Sequence, residues 1–401
     1  MYFMEWLWWQ GATETAEERE ETDKAAREAH LPDFDEYEDE IAKDREDARR
    51  CISATPRARG PVYVFNERIL ELRCGGQEDK RGLVTVLSVM LLAVFGYFML
   101  GTALQIGFAL ITDTPLFAST QYQRSPNGGD IFLLVITTVM GGGGLWGYFK
   151  YGFRFSRLEM LTTRHLLIRF NRVTRQVHLH RPRNCGGLIT LPWNGIRNNA
   201  STSKATEAHG IGECLTLMWQ PEPGSGMPAE FVSVGRKANG LSELRDEWEF
   251  IRRFMEDGPD GLPRPSITSH FPWPWHAFAP QFEGLTRYLR NTDSGLVLLG
   301  LLMISPAFVV MGVGHWLSLL LCWKPRWPKV IREAGLPGKP VPHLTTLADY
   351  PPDIQQRLLA NADKWALRPG SRPKRKPRVA RRKKSTEPQS EVARAADAND
   401  D

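Results

Sequence analysis

The chain has 401 residues, 42% of them hydrophobic and 24% charged, with a net charge of +5. Its mean hydropathy of −0.34 would suit a water-soluble protein, but the apolar residues are concentrated in three blocks. Length alone allows roughly two or three folded units. The five cysteines, Cys51, Cys74, Cys185, Cys214 and Cys322, contain no Cys-x-x-Cys pair, which argues against a zinc site or a disulfide framework and for reduced thiols.

Residues 1–60 read as an acidic, largely disordered head, in which part of Glu14–Asp47 reads as helical. From Gly11 to Arg50 there are 16 Asp/Glu against 7 Lys/Arg. The opening run Met1–Trp9 lacks a basic n-region and carries Glu5, so it is not a signal peptide; its Trp6, Trp8 and Trp9 would suit a membrane interface. Residues 61–79 form a short β segment ahead of the first apolar block.

Gly82–Thr112 runs 31 residues without a charge, and Ile131–Phe149 runs 19. A buried core helix needs only an apolar stripe, so uncharged runs of this length predict bilayer-embedded helices. Lys80 and Arg81 precede the first run and Lys150, Arg154 and Arg157 follow the second, while the connecting loop Asp113–Asp130 has Arg124 against two aspartates. The positive-inside rule makes residues 80–152 a helical hairpin with both ends cytoplasmic. The first run is longer than a bilayer needs and is expected to tilt, or to kink near Gly96 or Gly101. Gly141, Gly142, Gly143 and Gly144 predict close packing of the two arms, with Gly101 and Gly107 opposite them.

Residues 153–258 read as an antiparallel β domain. Strands are expected over Leu158–Asn171, Gln176–Arg181, Leu188–Trp193, Cys214–Trp219 and Glu230–Val234, with a tight turn at Asn171–Thr174. Val177 and Leu179 alternate with His178 and His180, which predicts one packed face and one solvent-facing face. Leu241, Leu244, Trp248, Ile251 and Met255 recur at helical spacing and predict an amphipathic helix that Asp257-Gly258-Pro259 stops.

An aromatic, Pro-rich linker at 259–294 leads to the third block, Gly295–Trp323, which holds Pro306 and His315. Basic residues lie on both its flanks, so a single span and a re-entrant segment both remain open, with a cytoplasmic tail favoured. His315 is expected to be a packed interfacial histidine. A Pro-rich, partly helical segment at 324–369 precedes a basic tail at 370–401, where Arg372–Lys384 carries nine Lys/Arg in 13 positions. Anionic lipid is the expected partner of that tail, and nucleic acid is disfavoured because no aromatics interleave the charges.

Several antiparallel strands closed by one helix, with Leu161–Ile168 and Leu191–Ile196, resemble bacterial pleckstrin-homology-like (PH-like) domains. Phe170, Asn171, Arg172, Thr174 and Arg175, with Trp193 and with Trp327 and Pro328 after the third block, resemble a proteobacterial membrane-protein family of unknown function often found near type VI secretion genes. The resemblance runs from about Pro61 to Pro369. It implies an α+β inner-membrane protein with a cytoplasmic PH-like domain and a role beside a secretion system; it implies no catalytic residues.

No catalytic, cofactor or metal site is expected. The four-glycine run lacks the Lys-Ser/Thr of a phosphate loop, and no Gly-x-Ser-x-Gly elbow occurs. The expected role is therefore a non-enzymatic scaffold, accessory or immunity component whose partners are the bilayer and a secretion-system or toxin protein. Two alternatives are lipid or envelope sensing, and a metal enzyme using His178 and His180.

Overall fold

A computed structural model describes residues 2–29, 36–74, 76–112, 127–201, 212–290 and 294–372. The expected loop residues 113–126 and most of the basic tail lie outside them.

The head, expected to be largely disordered, carries three helices: α1 (Phe3–Ala12), α2 (Ala16–Glu28) and α3 (Glu38–Arg49). A capping box between Thr15 and Glu18 starts α2. The N-terminal tryptophans pack into protein. Trp8 Nε1 donates to Ala229 O at 2.9 Å, and Trp9 lies against Gly186 and 5.4 Å from Tyr350. Local composition misled here, because the partners that order the head lie more than 150 residues away.

Strands β1 (Val62–Phe65) and β2 (Ile69–Cys74) precede the first apolar block, yet β2 pairs along its whole length with β3 (Leu166–Asn171), which follows the second. The expected separate pre-membrane segment is thus part of the main sheet. The other strands are β4 (Gln176–His180), β5 (Leu188–Pro192), β6 (Ile196–Asn198), β7 (Leu215–Trp219) and β8 (Glu230–Val234). All pairings are antiparallel, in the order β5-β4-β3-β2-β8-β7-β6, with β1 added on β2. The expected first strand is shorter than predicted, since Leu158–Thr163 forms a turn instead.

The two edge strands, β5 and β6, are joined by only Trp193–Gly195. Seven strands laid flat would separate those edges by roughly 29 Å, whereas three residues reach about 10 Å. The sheet must therefore curl back on itself, and Trp219 Nε1 donating to Pro192 O at 3.0 Å marks the closure. Inside the curl lies the main core, which includes Leu70, Leu72, Ile168, Phe170, Leu179 and Val232. Helix α8 (Leu241–Glu256) covers it with Leu244, Trp248, Ile251, Phe254 and Met255. The predicted periodicity is the buried face.

The outer face of the sheet was expected to meet solvent. Instead, the chain after the third apolar block crosses it through α11 (Lys329–Glu333), burying Trp327 and Ile331 against Tyr63 and Leu167. His178 is fully buried and His180 half-buried beneath Trp327.

Among the described residues, three helices are long and apolar enough to cross a membrane: Glu78–Thr112, Gly128–Ser156 and Gly295–Leu320. The first contains α4 (Leu83–Leu92) and α5 (Gly101–Thr112), joined by π-helical turns over Ala93–Leu100 where a kink was expected. The second contains α6 (Gly128–Gly147) and α7 (Phe153–Ser156). Asn127 and Asp130 form a capping box at its start. Gly144 lies against Phe95, Gly141 against Met99 and Leu100, and Gly107 against Leu134, so the two helices run side by side in opposite directions. A Cβ at Gly144 would collide with the Phe95 ring, whereas Gly101, Gly142 and Gly143 face open space. Only part of the predicted glycine docking is present.

The linker holds a helix that sequence patterning missed, α9 (Pro274–Arg290). Phe278 opposes Gly312, Phe282 opposes Phe308, and Trp316 Nε1 donates to Pro272 O at 3.0 Å. These pairs fix α9 antiparallel to the third long helix, α10 (Gly295–Leu320). That helix continues through Pro306. Proline offers no N–H to the carbonyl four residues back, Leu302, and the Ser305 hydroxyl donates to that oxygen instead at 2.7 Å. Beyond α11, α12 (Pro352–Ala360) and its flanks pack against α1, with Asn361 Nδ2 donating to Ala12 O and Glu14 O.

Candidate functional site

The motif predicted around β3 and β4 assembles around one turn. Asn171 is buried; its Oδ1 accepts from Val173 N and Thr174 N, and its Nδ2 donates to Ala334 O at 3.0 Å. Arg175 takes a positive φ of 54° and reaches the end of α8, donating to Met255 O and to the Glu256 carboxylate at 2.8 Å each. Trp193 Nε1 donates to the same carboxylate at 2.7 Å, and its ring stacks on Trp248 and meets Phe170 edge-on. Arg172 lies against Gly258. These residues tie turn, helix and closure strand together.

Trp327 belongs to a second cluster. Its Nε1 donates to Glu71 Oε2 at 2.9 Å, the same oxygen that takes two bonds from Arg169, whose guanidinium lies 4.6 Å from the Trp327 ring. Pro328 then occupies the position just before α11. The histidines beside this cluster are polar but desolvated. Burial, then the nearby Arg169 charge, holds the His178 imidazolium down to about 4, and burial lowers His180 as well. His178 Nδ1 lies 3.1 Å from Thr190 Oγ1. Among the described residues no group of three or more His, Cys, Asp or Glu is placed to hold a metal ion.

A further polar site was not predicted. It is the turn Leu158–His165, immediately after the second long helix. Glu159 is buried, and its Oε2 accepts from Gly82 N at 3.1 Å, Thr85 N at 3.0 Å and Thr85 Oγ1 at 3.0 Å. Those N–H groups are the orphan donors at the start of α4, so a carboxylate from the turn after the second long helix caps the first long helix. Gly82 allows this approach with a φ of 110°, and any side chain there would collide with Met311 and His315 backbone. Five residues after Glu159, Arg164 caps the end of α10: its guanidinium donates to Leu319 O, Cys322 O and His270 O at 2.8–2.9 Å. The backbone joins in, with Trp323 N donating to Thr162 O and Arg164 N to Trp323 O.

Arg81, only 1% exposed, sits between these caps. It donates to Ser318 Oγ, Arg164 O and Glu159 O, and Glu78 lies 3.5 Å away. His315, expected as a packed interfacial residue, is fully buried with Nε2 3.1 Å from Glu78. Ser88, Ser156 and Tyr148 extend the network between the first two helices. The one sequence signal was a small-polar face, Thr85 and Ser88, just inside an apolar run.

A family model described as a family of unknown function (DUF6708) matches residues 149–336. The matched stretch runs from the end of the second long helix through α11 and includes Glu159, Arg164 and the motif residues, but not β1, β2 or the first long helix. No curated protein and no solved structure matches the chain.

Proposed function

We propose that the protein is a non-catalytic scaffold of the bacterial inner membrane, in which the first two long helices cross the bilayer as a hairpin and hold a PH-like domain at the cytoplasmic face. The double capping by Glu159 and Arg164 carries this reading. One turn leads out of the second span, closes the ends of the other two and runs directly into β3. Such a joint fixes the orientation of a domain relative to the bilayer, which a presenting scaffold needs and a flexibly tethered enzyme does not. The basic residues Lys80, Lys150, Arg154 and Arg157 at the same end support the cytoplasmic side. The curled sheet closed by α8 supports the PH-like assignment.

Within this reading, the resemblance to a family found near type VI secretion genes favours an accessory or immunity role. A deletion strain challenged by a sibling strain carrying the neighbouring effector should lose viability, and wild-type protein should restore it. Unchanged survival rejects the immunity role. Orientation is testable at Cys51, which is exposed, whereas Cys74, Cys185 and Cys322 are buried. A membrane-impermeant maleimide should label Cys51 in inverted vesicles and spare it in spheroplasts; the reverse pattern would place the domain outside.

A further inference from the structure

Where the sheet meets α9, a cavity of about 300 Å³ opens between Tyr63, Arg73, His165, Arg236, Lys237 and Trp275. Two carboxylates also line it, and both are engaged: Asp79 with Lys237 at 2.7 Å, and Glu78 with Arg81 and His315. Among the described residues, Arg73 and Arg236 have no carboxylate within 4 Å. The lining therefore carries three cations against two acids, and Arg73 and Arg236 are the two cations that neither acid pairs. It also holds neutral polar groups. His165, 4% exposed, has a buried Nδ1 without a partner, and its ring stacks on Tyr63, which stacks in turn on His270. Burial keeps the Tyr63 hydroxyl protonated up to about 12 and, with Arg73, keeps the His165 ring uncharged.

The position of the cavity is set by α9. Phe278 opposes Gly312, and Gly82, the first residue of the first apolar run, opposes Met311–His315. Trp275, Ala279 and Pro280, which line the cavity, are thus level with the point where the spans begin. At its rim, Trp273 and Trp275 are 42% and 57% exposed and stacked 4.8 Å apart, the placement indoles take at a bilayer interface.

We infer that this cavity is a binding site for a phosphate ester, supplied by the headgroup of an anionic phospholipid in the adjoining leaflet. Arg73 and Arg236 would pair the phosphate oxygens, with His165 and Tyr63 as neutral donors at the back. The inference rests on the membrane placement proposed above but not on the scaffold role.

Native mass spectrometry of the full chain in detergent tests it, because retained lipid is counted whatever the orientation or partner in the cell. Wild-type protein should hold phosphatidylglycerol in preference to phosphatidylcholine, and the Arg73→Gln/Arg236→Gln double variant should bind it about tenfold more weakly, as expected for the loss of charge-assisted hydrogen bonds. Arg264→Gln, an exposed arginine elsewhere, should bind as wild type. Equal retention by the double variant overturns the site. If millimolar inorganic phosphate displaces the lipid and binds with the same dependence on Arg73 and Arg236, the source is free phosphate and the lipid assignment falls. Should the double variant melt early, Arg236→Gln alone, at an exposed position, must still weaken binding several-fold, and unchanged binding in it overturns the site.

Discussion

The two faces of the curled sheet are sealed by different physics. The inner face is closed by aliphatic and aromatic side chains from α8, a helix that follows β8 within a few residues. The outer face is closed by a segment that returns after the third long helix, and its centre is an ion pair, Glu71 with Arg169, under an indole. Apolar burial stabilises without regard to direction, whereas a buried charge pair is costly unless its geometry is met. The inner face accordingly tolerates reshaping at constant volume, and the outer face depends on a particular docking of Trp327.

Cutting into the inner face should have the largest effect. Trp248→Ala removes a fully buried indole and its stack with Trp193, costing about 3–5 kcal/mol. Thermal unfolding of the detergent-solubilised protein reads this, and a loss below about 1 kcal/mol would mean that α8 does not close the core. On the outer face, Glu71→Ala should cost about 3 kcal/mol because it strands Arg169 and the Trp327 N–H. Glu71→Leu/Arg169→Met removes both charges and should recover most of that loss in a double-mutant cycle. Additive losses would show that the pair is not coupled.

The smallest contrast is in pH dependence. On the α8 side, burial raises the Glu247 carboxyl to about 8 against the pull of Arg59. Its folded value lies above its unfolded one, so its contribution is fully present below about 4.5 and is lost as pH rises through about 8. On the outer face, His178 is depressed to about 4, so its contribution is present above about 6.5 and is lost as pH falls through about 4. Melting temperature should therefore sag on the alkaline side in wild type but less in Glu247→Gln, and on the acid side less in His178→Gln. Identical pH profiles for wild type and both variants would contradict the assigned burial.

The inner face was legible in the sequence because its signal is local: five apolar residues of α8 at three- and four-residue steps, and strands of alternating pattern ended by turn residues. The long apolar helices were legible for the same reason. The outer face was not, since Glu71 and Arg169 are 98 positions apart and neither is unusual among its neighbours. Burial of His178 depends on Trp327, far downstream, so alternation alone read it as solvated. The caps escaped notice because a helix end completed from a distant turn leaves no local capping residue; Gly82 carries no side chain to signal one. Of the predicted motif, the structure explains Asn171, Arg175 and Trp193 by hydrogen bonds at the turn.

The pairing of β2 with β3 has a consequence for biogenesis. The two strands emerge from the ribosome on either side of the first two long helices, with Cys74 opposite Leu166. In the proposed topology β2, paired only with β1, waits at the cytoplasmic surface until the intervening segment has crossed the bilayer and come back. An insertion that left the second helix outside would strand β3 on the far side, and the central pairing of the sheet could never form. In that topology, completion of the sheet would depend on correct membrane insertion, and a misinserted chain would be left with an unfolded domain.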